Sequence, residues 1–253
     1  MTDLPPPRDL LDLTGKVVVV TGAGGGIGAG IASRISAAGA SVVAHTRSSE
    51  VAELPGKQVV IRSDLLSDEG PGKVIRAALD AFGRIDGLVN NAGIQPLGKL
   101  IDLPESEWRS MIDTNLTAVH RLSQVAAKVM IDAKTSGSIV HVASIEGTQP
   151  APMHGHYAAA KAALIMHARA AALEWGSEGI RVNVVSPGLI DRPGLESDWP
   201  EGVQRWLAAA PLGRLGTPED VGDACVFLCS DLSRWVSGAN LVVDGGVLTH
   251  PTW

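Results

Sequence analysis

The 253-residue chain contains little cysteine, and this bears first on metal sites and disulfides. Its two cysteines, Cys225 and Cys229, lie one helical turn apart in DVGDACVFLCSDL. Such a pair, without further cysteine or clustered histidine, is a poor metal site and does not indicate a disulfide framework. The apolar neighbours favour two small buried side chains on a helix. Because the seven histidines are scattered, the sequence predicts no metal site.

Basic charge and long apolar runs are also scarce. Lys and Arg number 21 against 27 Asp and Glu, which gives a net charge of -6 and argues against a nucleic-acid surface. No apolar stretch reaches the roughly 18 residues that a membrane span needs. The N-terminus lacks a basic region followed by an apolar run, so neither a signal peptide nor an anchor is predicted. A cytoplasmic location is the default expectation.

What the chain has instead is a regular alternation of short β-branched runs with longer Ala-rich helical patterns. Runs such as VVVV carry no polar alternation, which is typical of strands buried on both faces. Seven strands separated by helices predict an α/β fold in one domain, with a doubly wound parallel sheet covered by helices on both faces. The predicted strands are KVVVVT, SVVAHT, KQVVIR, IDGLVN, GSIVHVAS, IRVNVVS and NLVVDGG.

Two segments depart from this rhythm. Residues 1–12 contain Pro5, Pro6 and Pro7 and are expected to form a stiff peripheral tail, which leaves 13–253 as the domain. Residues 189–210 contain two prolines and two tryptophans with weak helical periodicity. They follow the sixth strand and should lie over the carboxyl edge of the sheet, where open α/β folds bind ligands. This segment is either a substrate lid or a plain surface loop.

A tyrosine and a lysine stand four residues apart in HYAAAKAALIMHARAAALEW. On a helix, Tyr157 and Lys161 would share one face, and a cation there favours the phenolate of a general acid/base. Ser144, at the end of the run SIVHVAS, could hydrogen-bond the oxygen that gains or loses the proton. The arrangement suits interconversion of a carbonyl and an alcohol. The same spacing also arises by chance, so its weight depends on whether a hydride carrier can bind beside it.

A glycine-rich turn, TGAGGGIG, follows the first predicted strand and leads into a helix. Glycine allows close approach of backbone to a phosphate, and the helix N-terminus presents free N–H groups and a positive dipole. The alternative is a flexible glycine turn without a ligand. The context of strand, turn and helix favours a dinucleotide pyrophosphate.

Taken together, TGAGGGIG, Asn90–Gly93, Asn115, Ser144, Tyr157-x3-Lys161 and Pro187–Gly188 resemble the short-chain dehydrogenase/reductase family from about Lys16 to Gly246. The resemblance implies a Rossmann-type seven-stranded sheet and a nicotinamide cofactor. The positions that it assigns to the cofactor are Gly22, Gly24, Gly26, Ile27, Gly28, Asp64, Leu65, Asn91, Ala92, Gly93, Tyr157, Lys161, Pro187, Gly188 and Ile190. Many relatives carry threonine where this chain has Arg192, which could meet cofactor phosphates, substrate or solvent.

The end of the second strand bears on the choice between NADP(H) and NAD(H). By the resemblance, Thr46 stands where family members that prefer NAD carry Asp, and Arg47 and Ser48 follow it. A guanidinium can hold a 2′-phosphate through paired hydrogen bonds, so the expectation is NADP(H), with NAD(H) as the alternative. Gly25 is a signal against NADP(H), because many NADP-dependent relatives carry a second basic residue there.

The resemblance also implies roles in a reaction. Tyr157 would exchange a proton with the substrate oxygen, Ser144 would hydrogen-bond that oxygen, and Lys161 would lower the tyrosine pKa and bond the nicotinamide ribose. Asn115 would hold a water that links Lys161 to solvent. The substrate pocket would be lined, besides Ser144 and Tyr157, by Gln95, Pro96, Glu146, Pro152, Met153, His154, Trp199 and Trp206.

The expected partner is a small carbonyl or alcohol, with ketones, sugars, steroids, terpenoids and acyl thioesters all open. The chain is expected to form a homotetramer or a dimer. Helices over 116–131 and 157–175 would make one interface, and the last strand with the tail through Trp253 would make the other. A non-catalytic nicotinamide-binding sensor or scaffold, and an epimerase acting through a keto form, are the alternative functions.

Overall fold

A computed structural model describes residues 5–249 of the chain. The predicted seven-stranded sheet is confirmed: every strand pair is parallel, and the order is β3-β2-β1-β4-β5-β6-β7. The strands are β1 (Val17–Thr21), β2 (Ser41–Thr46), β3 (Gln58–Arg62), β4 (Gly87–Asn90), β5 (Gly137–Val142), β6 (Ile180–Pro187) and β7 (Asn240–Val243).

The sheet is buried on both faces because each inner strand sends alternate apolar side chains to opposite sides. On β1, Val17 and Val19 belong to one core cluster, and Val18 and Val20 belong to the other. The helices are α1 (Gly26–Ala37), α2 (Gly70–Phe82), α3 (Glu105–Ile112), α4 (Ala118–Asp132), α5 (Gly155–Trp175), α6 (Leu195–Asp198), α7 (Pro200–Ala209) and α8 (Pro218–Cys229).

The two core clusters define the layers. Helices α2, α4 and α5 contribute side chains to the cluster that contains Val19, while α1 and α8 contribute to the cluster that contains Val20. Cys225 of α8 is fully buried in the second cluster, and neither cysteine forms a disulfide. A parallel sheet between two helical layers is the doubly wound architecture expected from the alternation of runs.

Three helical segments were not predicted. Helix α3 was missed, and so were α6 and α7, which together occupy most of residues 195–209 in the candidate lid. Near the N-terminus, Pro7–Leu11 form a 3-10 turn whose Leu10 is buried. The segment expected to be a peripheral tail therefore packs partly on the body; its residues 1–4 lie outside the described residues.

Neither a membrane-spanning helix nor a metal cluster is found in the described part of the chain. Across residues 5–249, no helix is long and apolar enough to cross a bilayer. Within the same range, no three His, Cys, Asp or Glu side chains are grouped so that they could hold a metal ion.

The strand order places the loops that matter at one edge. Strand order reverses between β1 and its neighbour β4, and in open α/β sheets ligands bind outside the carboxyl ends of strands at such a switch point. The segments that leave β1, β4, β5 and β6 at this edge contain most of the predicted site residues.

Candidate active site

The glycine-rich turn joins β1 to α1 in a conformation that only small residues permit. A Cβ on Gly28 would lie 2.0 Å from the Gly22 carbonyl oxygen, so any side chain there would force the turn apart. Gly25 precedes α1 without a side-chain cap, and a Cβ on Gly25 or Gly26 would meet nothing within 4 Å. Open space therefore lies beside the start of this 12-residue helix, whose first N–H groups have no partner within the helix. Such a helix start fits a phosphate.

This turn is held by hydrogen bonds to the segment after β4. The Asn91 side-chain amide donates to the Thr21 carbonyl at 2.9 Å. The Asn91 and Ala92 backbone N–H groups donate to Thr21 Oγ1 at 2.9 and 3.0 Å. We call this set of bonds the Thr21–Asn91 clasp. It places the Asn91–Gly93 turn beside the glycine turn, as the resemblance implied for a cofactor site.

The end of β2 lies against the same turn. Thr46 is buried, and a Cβ on Gly24 would come within 3.2 Å of its Oγ1. Arg47 and Ser48 are exposed. Glu50, two residues after Ser48 in the sequence, forms an ion pair with Arg62, which partly neutralises its charge.

The remaining predicted cofactor positions are found on neighbouring loops. Asp64 and Leu65 follow β3, and the Asp64 carboxylate accepts the Leu66 N–H at 2.9 Å. Gly188 continues β6 and donates its N–H to Val243 at 2.9 Å. Ile190 forms a parallel β-bridge with Gly216.

Arg192, whose role was open, is half-exposed and forms an ion pair with Asp198 at 2.8 Å. It also borders a groove that Gly26 and Pro218 line.

Asn115 lies in a π-helical turn, Asp113–Thr117, between α3 and α4. Its side-chain amide forms two hydrogen bonds with Ile94 in the loop after β4. Oδ1 accepts the Ile94 N–H at 2.8 Å, and Nδ2 donates to the Ile94 carbonyl at 2.8 Å. π-Turns inside α-helices often mark functional sites. Here the turn directs a buried amide at the loop that leads to Gln95.

Ser144, Tyr157 and Lys161 come together as the spacing predicted. Lys161 Nζ lies 5.4 Å from the centre of the Tyr157 ring and donates to the Val142 carbonyl at 2.8 Å. Ser144 and Lys161 are 8% and 5% exposed. The buried ammonium keeps two N–H donors beyond the one directed at Val142, which fits a ribose hydroxyl.

The electrostatics of this group differ from the expectation. Burial raises the pKa of Tyr157 to about 12, and the nearby Glu146 carboxylate adds to the rise, whereas a hydrogen bond with Ser144 lowers it. Burial also lowers the pKa of Lys161 to about 8. The expected lowering of the tyrosine pKa by Lys161 is therefore not what this structure gives, because burial, which disfavours the charged phenolate, is the largest cause of the shift.

Three predicted substrate residues form a hydrogen-bonded group beside the tyrosine. His154 Nδ1 lies 2.7 Å from Glu146 Oε2, and Gln95 Nε2 donates to Glu146 Oε1 at 3.3 Å. We call this group the Gln95–Glu146–His154 cluster. The His154 ring stands edge-on to the Tyr157 ring, with centres 6.2 Å apart.

The other predicted substrate residues are placed unevenly. Met153 is half-exposed in the loop before α5 and has a positive φ of 68°. Trp206 of α7 packs on the turn after β6, since a Cβ on Gly188 would lie 2.6 Å from its ring. Trp199 instead packs on α7 itself, where Arg205 stands over its ring at 5.9 Å.

A chain of histidines behind the site was not expected from their scattered positions. His120 Nδ1 lies 3.1 Å from His167 Nε2, and His167 Nδ1 lies 3.1 Å from His141 Nε2. His141 is fully buried on β5, and burial, followed by the charges of His167 and Lys161, lowers its pKa to about 3. No signal in the sequence could have found this chain, because its members come from α4, α5 and β5.

The chain is similar to known proteins over nearly its whole length. The family model described as Enoyl-(Acyl carrier protein) reductase matches residues 22–248. A 3β-hydroxysteroid dehydrogenase from Eggerthella lenta is 36% identical over 251 residues, covering 95% of this chain and 96% of the relative. A 3-oxoacyl-[acyl-carrier-protein] reductase from Chlamydia muridarum is 36% identical over 254 residues, covering 93% and 98%.

Solved structures agree with this result over nearly the whole chain. A 7α-hydroxysteroid dehydrogenase complexed with NADH and 7-oxo glycochenodeoxycholic acid is 35% identical with a TM-score of 0.89, covering 94% of this chain and 96% of that one. A protein from Agrobacterium tumefaciens assigned as a 2-deoxy-D-gluconate 3-dehydrogenase, with bound NADP, is 33% identical with a TM-score of 0.87, covering 96% and 100%. The bound cofactors of these two proteins differ.

Proposed function

The chain belongs to the short-chain dehydrogenase/reductase family, and on that premise we propose that Tyr157 is its general acid/base in the interconversion of a carbonyl and an alcohol. The family itself makes the protein an oxidoreductase that acts on CH–OH or carbonyl groups. The observation that carries the proposal is the grouping of the partly buried Tyr157 with the buried Ser144 and Lys161.

The protonation state of Tyr157 decides whether its side chain is ready to donate a proton or to accept one. With its pKa raised to about 12 by burial, the phenol is protonated at neutral pH and donates its proton to a carbonyl oxygen during reduction. In the oxidation direction, the same side chain must first lose a proton, and its raised pKa makes that form scarce near pH 7.

Two neighbours support this proton transfer. Ser144 directs its hydroxyl toward the oxygen that changes charge, and its own Oγ is fixed by the Glu146 N–H at 3.1 Å. Such a pre-oriented donor stabilises developing negative charge. Lys161 is anchored on the Val142 carbonyl, and its remaining N–H groups would hold the ribose of the cofactor close to Tyr157.

The glycine turn, the Asn91–Gly93 turn and Lys161 would hold a nicotinamide cofactor, which supplies or accepts the hydride when bound. We favour NADP(H) over NAD(H). The exposed Arg47 offers a guanidinium to a 2′-phosphate, and the nearby Glu50 in the sequence is paired with Arg62. Arg47 would affect only the preference between NADP(H) and NAD(H), because both cofactors fit the glycine turn.

A carbonyl panel with NADPH and NADH tests the reaction, and Tyr157→Phe tests the assignment. We expect Tyr157→Phe to reduce kcat by roughly 1000-fold or more, because proton transfer by a positioned side chain contributes on this order. Cofactor affinity, measured by fluorescence titration, should change little because the substitution removes one hydroxyl. Near-normal turnover by this variant would refute the role of Tyr157.

Arg47→Ala tests the cofactor preference. We expect kcat/KM for NADPH to fall about 10- to 100-fold while that for NADH stays nearly constant, since charge-assisted hydrogen bonds to a phosphate are strong. Arg234→Ala, an exposed arginine near the opposite edge of the sheet, is the matched control. An unmodified enzyme that prefers NADH would remove Arg47 from this role.

The alternative functions use the same panel as their test. A sensor or scaffold would bind NADPH without consuming it with any substrate, and an epimerase would convert a sugar without net change in NADPH absorbance. No contact in the described residues favours either one over a reductase.

We also propose that the chain self-associates as a homodimer or homotetramer. Helix α5 leaves Met166 and Leu173 exposed at 60% and 85%, and Val242 of β7 is 39% exposed, which is unusual for large apolar side chains of a monomer. The predicted contribution of the tail through Trp253 lies outside the described residues. Light scattering at micromolar concentration is the test, and a strict monomer would contradict the proposal.

The cytoplasmic location stays a prediction.

A further inference from the structure

The Gln95–Glu146–His154 cluster is assembled from three separate loops at the carboxyl edge of the sheet. Gln95 follows β4, Glu146 follows β5, and His154 immediately precedes α5. The Glu146 and His154 side chains are only 15% and 19% exposed, whereas Gln95 lies at the outer rim. A carboxylate so nearly buried is uncommon unless it is paired. Its partners here are His154, whose ring also contacts Tyr157, and Gln95.

The cluster borders the reacting group directly. The His154 ring meets the Tyr157 ring edge-on at 6.2 Å between centres, and the Glu146 N–H is bonded to Ser144 Oγ. The Glu146 carboxylate is also close enough to raise the pKa of Tyr157, after the larger effect of burial. A substrate whose oxygen contacts Ser144 and Tyr157 therefore places the atoms around its reacting carbon beside the cluster.

The hydrogen-bonding capacity of the cluster is one-sided. Glu146 accepts from His154 and Gln95, and an ionised carboxylate has further lone pairs. Within residues 5–249, the structure gives no hydrogen-bond partner to Gln95 Oε1 or His154 Nε2. The cluster thus offers a carboxylate, an amide oxygen and, in the neutral tautomer whose Nδ1–H donates to Glu146, the ring nitrogen Nε2. All three are groups that accept a hydrogen bond from a hydroxyl.

These hydrogen-bond acceptors favour some substrate classes over others. A substrate hydroxyl donates a hydrogen bond to the Glu146 carboxylate and so replaces the water that the carboxylate loses when the substrate binds. An apolar substrate leaves the carboxylate desolvated without a partner, and an anionic substrate adds charge repulsion. Sites built to bond a substrate hydroxyl reject analogues that lack it more strongly than apolar pockets reject a missing methylene.

We propose, on the premise of the carbonyl–alcohol chemistry above, that the Gln95–Glu146–His154 cluster selects neutral substrates with a hydroxyl next to the reacting carbon. These are α-hydroxy ketones in the reducing direction and vicinal diols in the oxidising direction. Glu146 receives the second hydroxyl, His154 orients the carboxylate, and Gln95 closes the outer side.

The test compares two ketones that differ by one hydroxyl, 2-hydroxycyclohexanone and cyclohexanone, with NADPH and NADH each supplied. We expect the full-length enzyme to prefer the hydroxyketone by about 100-fold or more in kcat/KM. In Glu146→Gln and His154→Phe this ratio should fall at least about 10-fold, through loss of activity on the hydroxyketone. Because both ketones are measured on one preparation, partial misfolding of a variant cancels in the ratio.

Glu178→Gln serves as the matched control, since Glu178 is exposed in the 3-10 turn that follows α5. It should leave the ratio unchanged. Equal kcat/KM for the two ketones, or a ratio that survives Glu146→Gln, overturns the cluster's role and leaves the proposed reaction intact.

A binding measurement separates this proposal from the proposed reaction. If neither ketone is reduced, the reaction is in question, and saturation-transfer NMR with cis-cyclohexane-1,2-diol and cyclohexanol then decides the cluster's role. Preferential contact with the diol that is lost in Glu146→Gln supports the cluster. Equal contact with both alcohols, or a preference that Glu146→Gln retains, refutes it.

Discussion

Replacing Lys161 with methionine should abolish activity and at the same time stabilise the fold. The ammonium is 5% exposed and has one carbonyl partner, Val142. Burial lowers its pKa from 10.5 to about 8. At about 1.4 kcal/mol for each tenfold change in proton affinity, holding Lys161 charged in the folded state costs roughly 3 kcal/mol at pH 7. Methionine has a similar length and removes this cost.

Part of the gain is lost again. The Val142 carbonyl loses its donor in the variant, and an unsatisfied buried acceptor costs about 1 kcal/mol or somewhat more. The expected net gain at pH 7 is therefore about 2 kcal/mol, which for a domain of this size raises Tm by roughly 4 to 8 °C.

The pH dependence identifies the cause. A lysine whose pKa is lower in the folded state binds fewer protons there than in the unfolded chain between about pH 8 and 10.5. The wild type therefore gains stability as pH rises through that window, and the full cost applies below it. By pH 9.5 the desolvation cost should shrink to about 1 kcal/mol, so that wild type and Lys161→Met converge.

Urea unfolding at pH 7.0, 8.5 and 9.5 measures these differences. Lys128→Met is the matched control, because Lys128 is exposed on α4 and pairs with Asp132 at 3.2 Å, and it should shift stability by no more than about 0.5 kcal/mol. A Lys161→Met variant less stable than wild type at pH 7, or a difference independent of pH, would refute the reasoning.

Two further predictions concern the cofactor turn and the proton. Gly28→Ala should weaken NADPH binding by more than about 10-fold in a fluorescence titration and should also lower Tm. The alanine Cβ would lie 2.0 Å from the Gly22 carbonyl oxygen, so the turn must open. Unchanged affinity would contradict a fixed turn. Because burial raises the pKa of Tyr157 to about 12, kcat/KM for alcohol oxidation should rise about tenfold per pH unit between about pH 6 and 8, where Lys161 stays largely charged. Over the same range kcat/KM for carbonyl reduction should stay nearly flat. A plateau in oxidation below pH 8 would mean that the phenolate already forms near neutrality.

The sheet could be predicted because its signal is local. Strands such as Val17–Thr21 are continuous β-branched runs bounded by glycine, and both faces are buried. Helices α3 and α7 lacked such a signal. Glu105–Ile112 has a single buried side chain, Met111, and Pro200–Ala209 begins with a proline that reads as an interruption although it suits the first turn of a helix.

The candidate site also contains features that a local pattern predicts and features that depend on long-range contacts. Tyr157 and Lys161 are one turn apart on one helix, so their proximity follows from spacing. The clustering of Gln95 with Glu146 and His154 depends on three loops, and the pKa of Tyr157 depends on how deeply those loops bury it. Neither burial nor long-range hydrogen bonding is encoded by a local pattern, so the sequence alone led to an expected pKa shift of the wrong sign.

The Thr21–Asn91 clasp imposes an order on biosynthesis. The glycine turn is complete on the ribosome by residue 28, yet the bonds that fix it come from residues about 70 positions later. Strand β1 also lacks its β4 neighbour until then. A nascent chain that ends after β3 therefore contains the whole glycine motif without the bonds that fix it. With the turn in its proposed role, a nucleotide would guide folding only after the fourth strand has emerged from the exit tunnel.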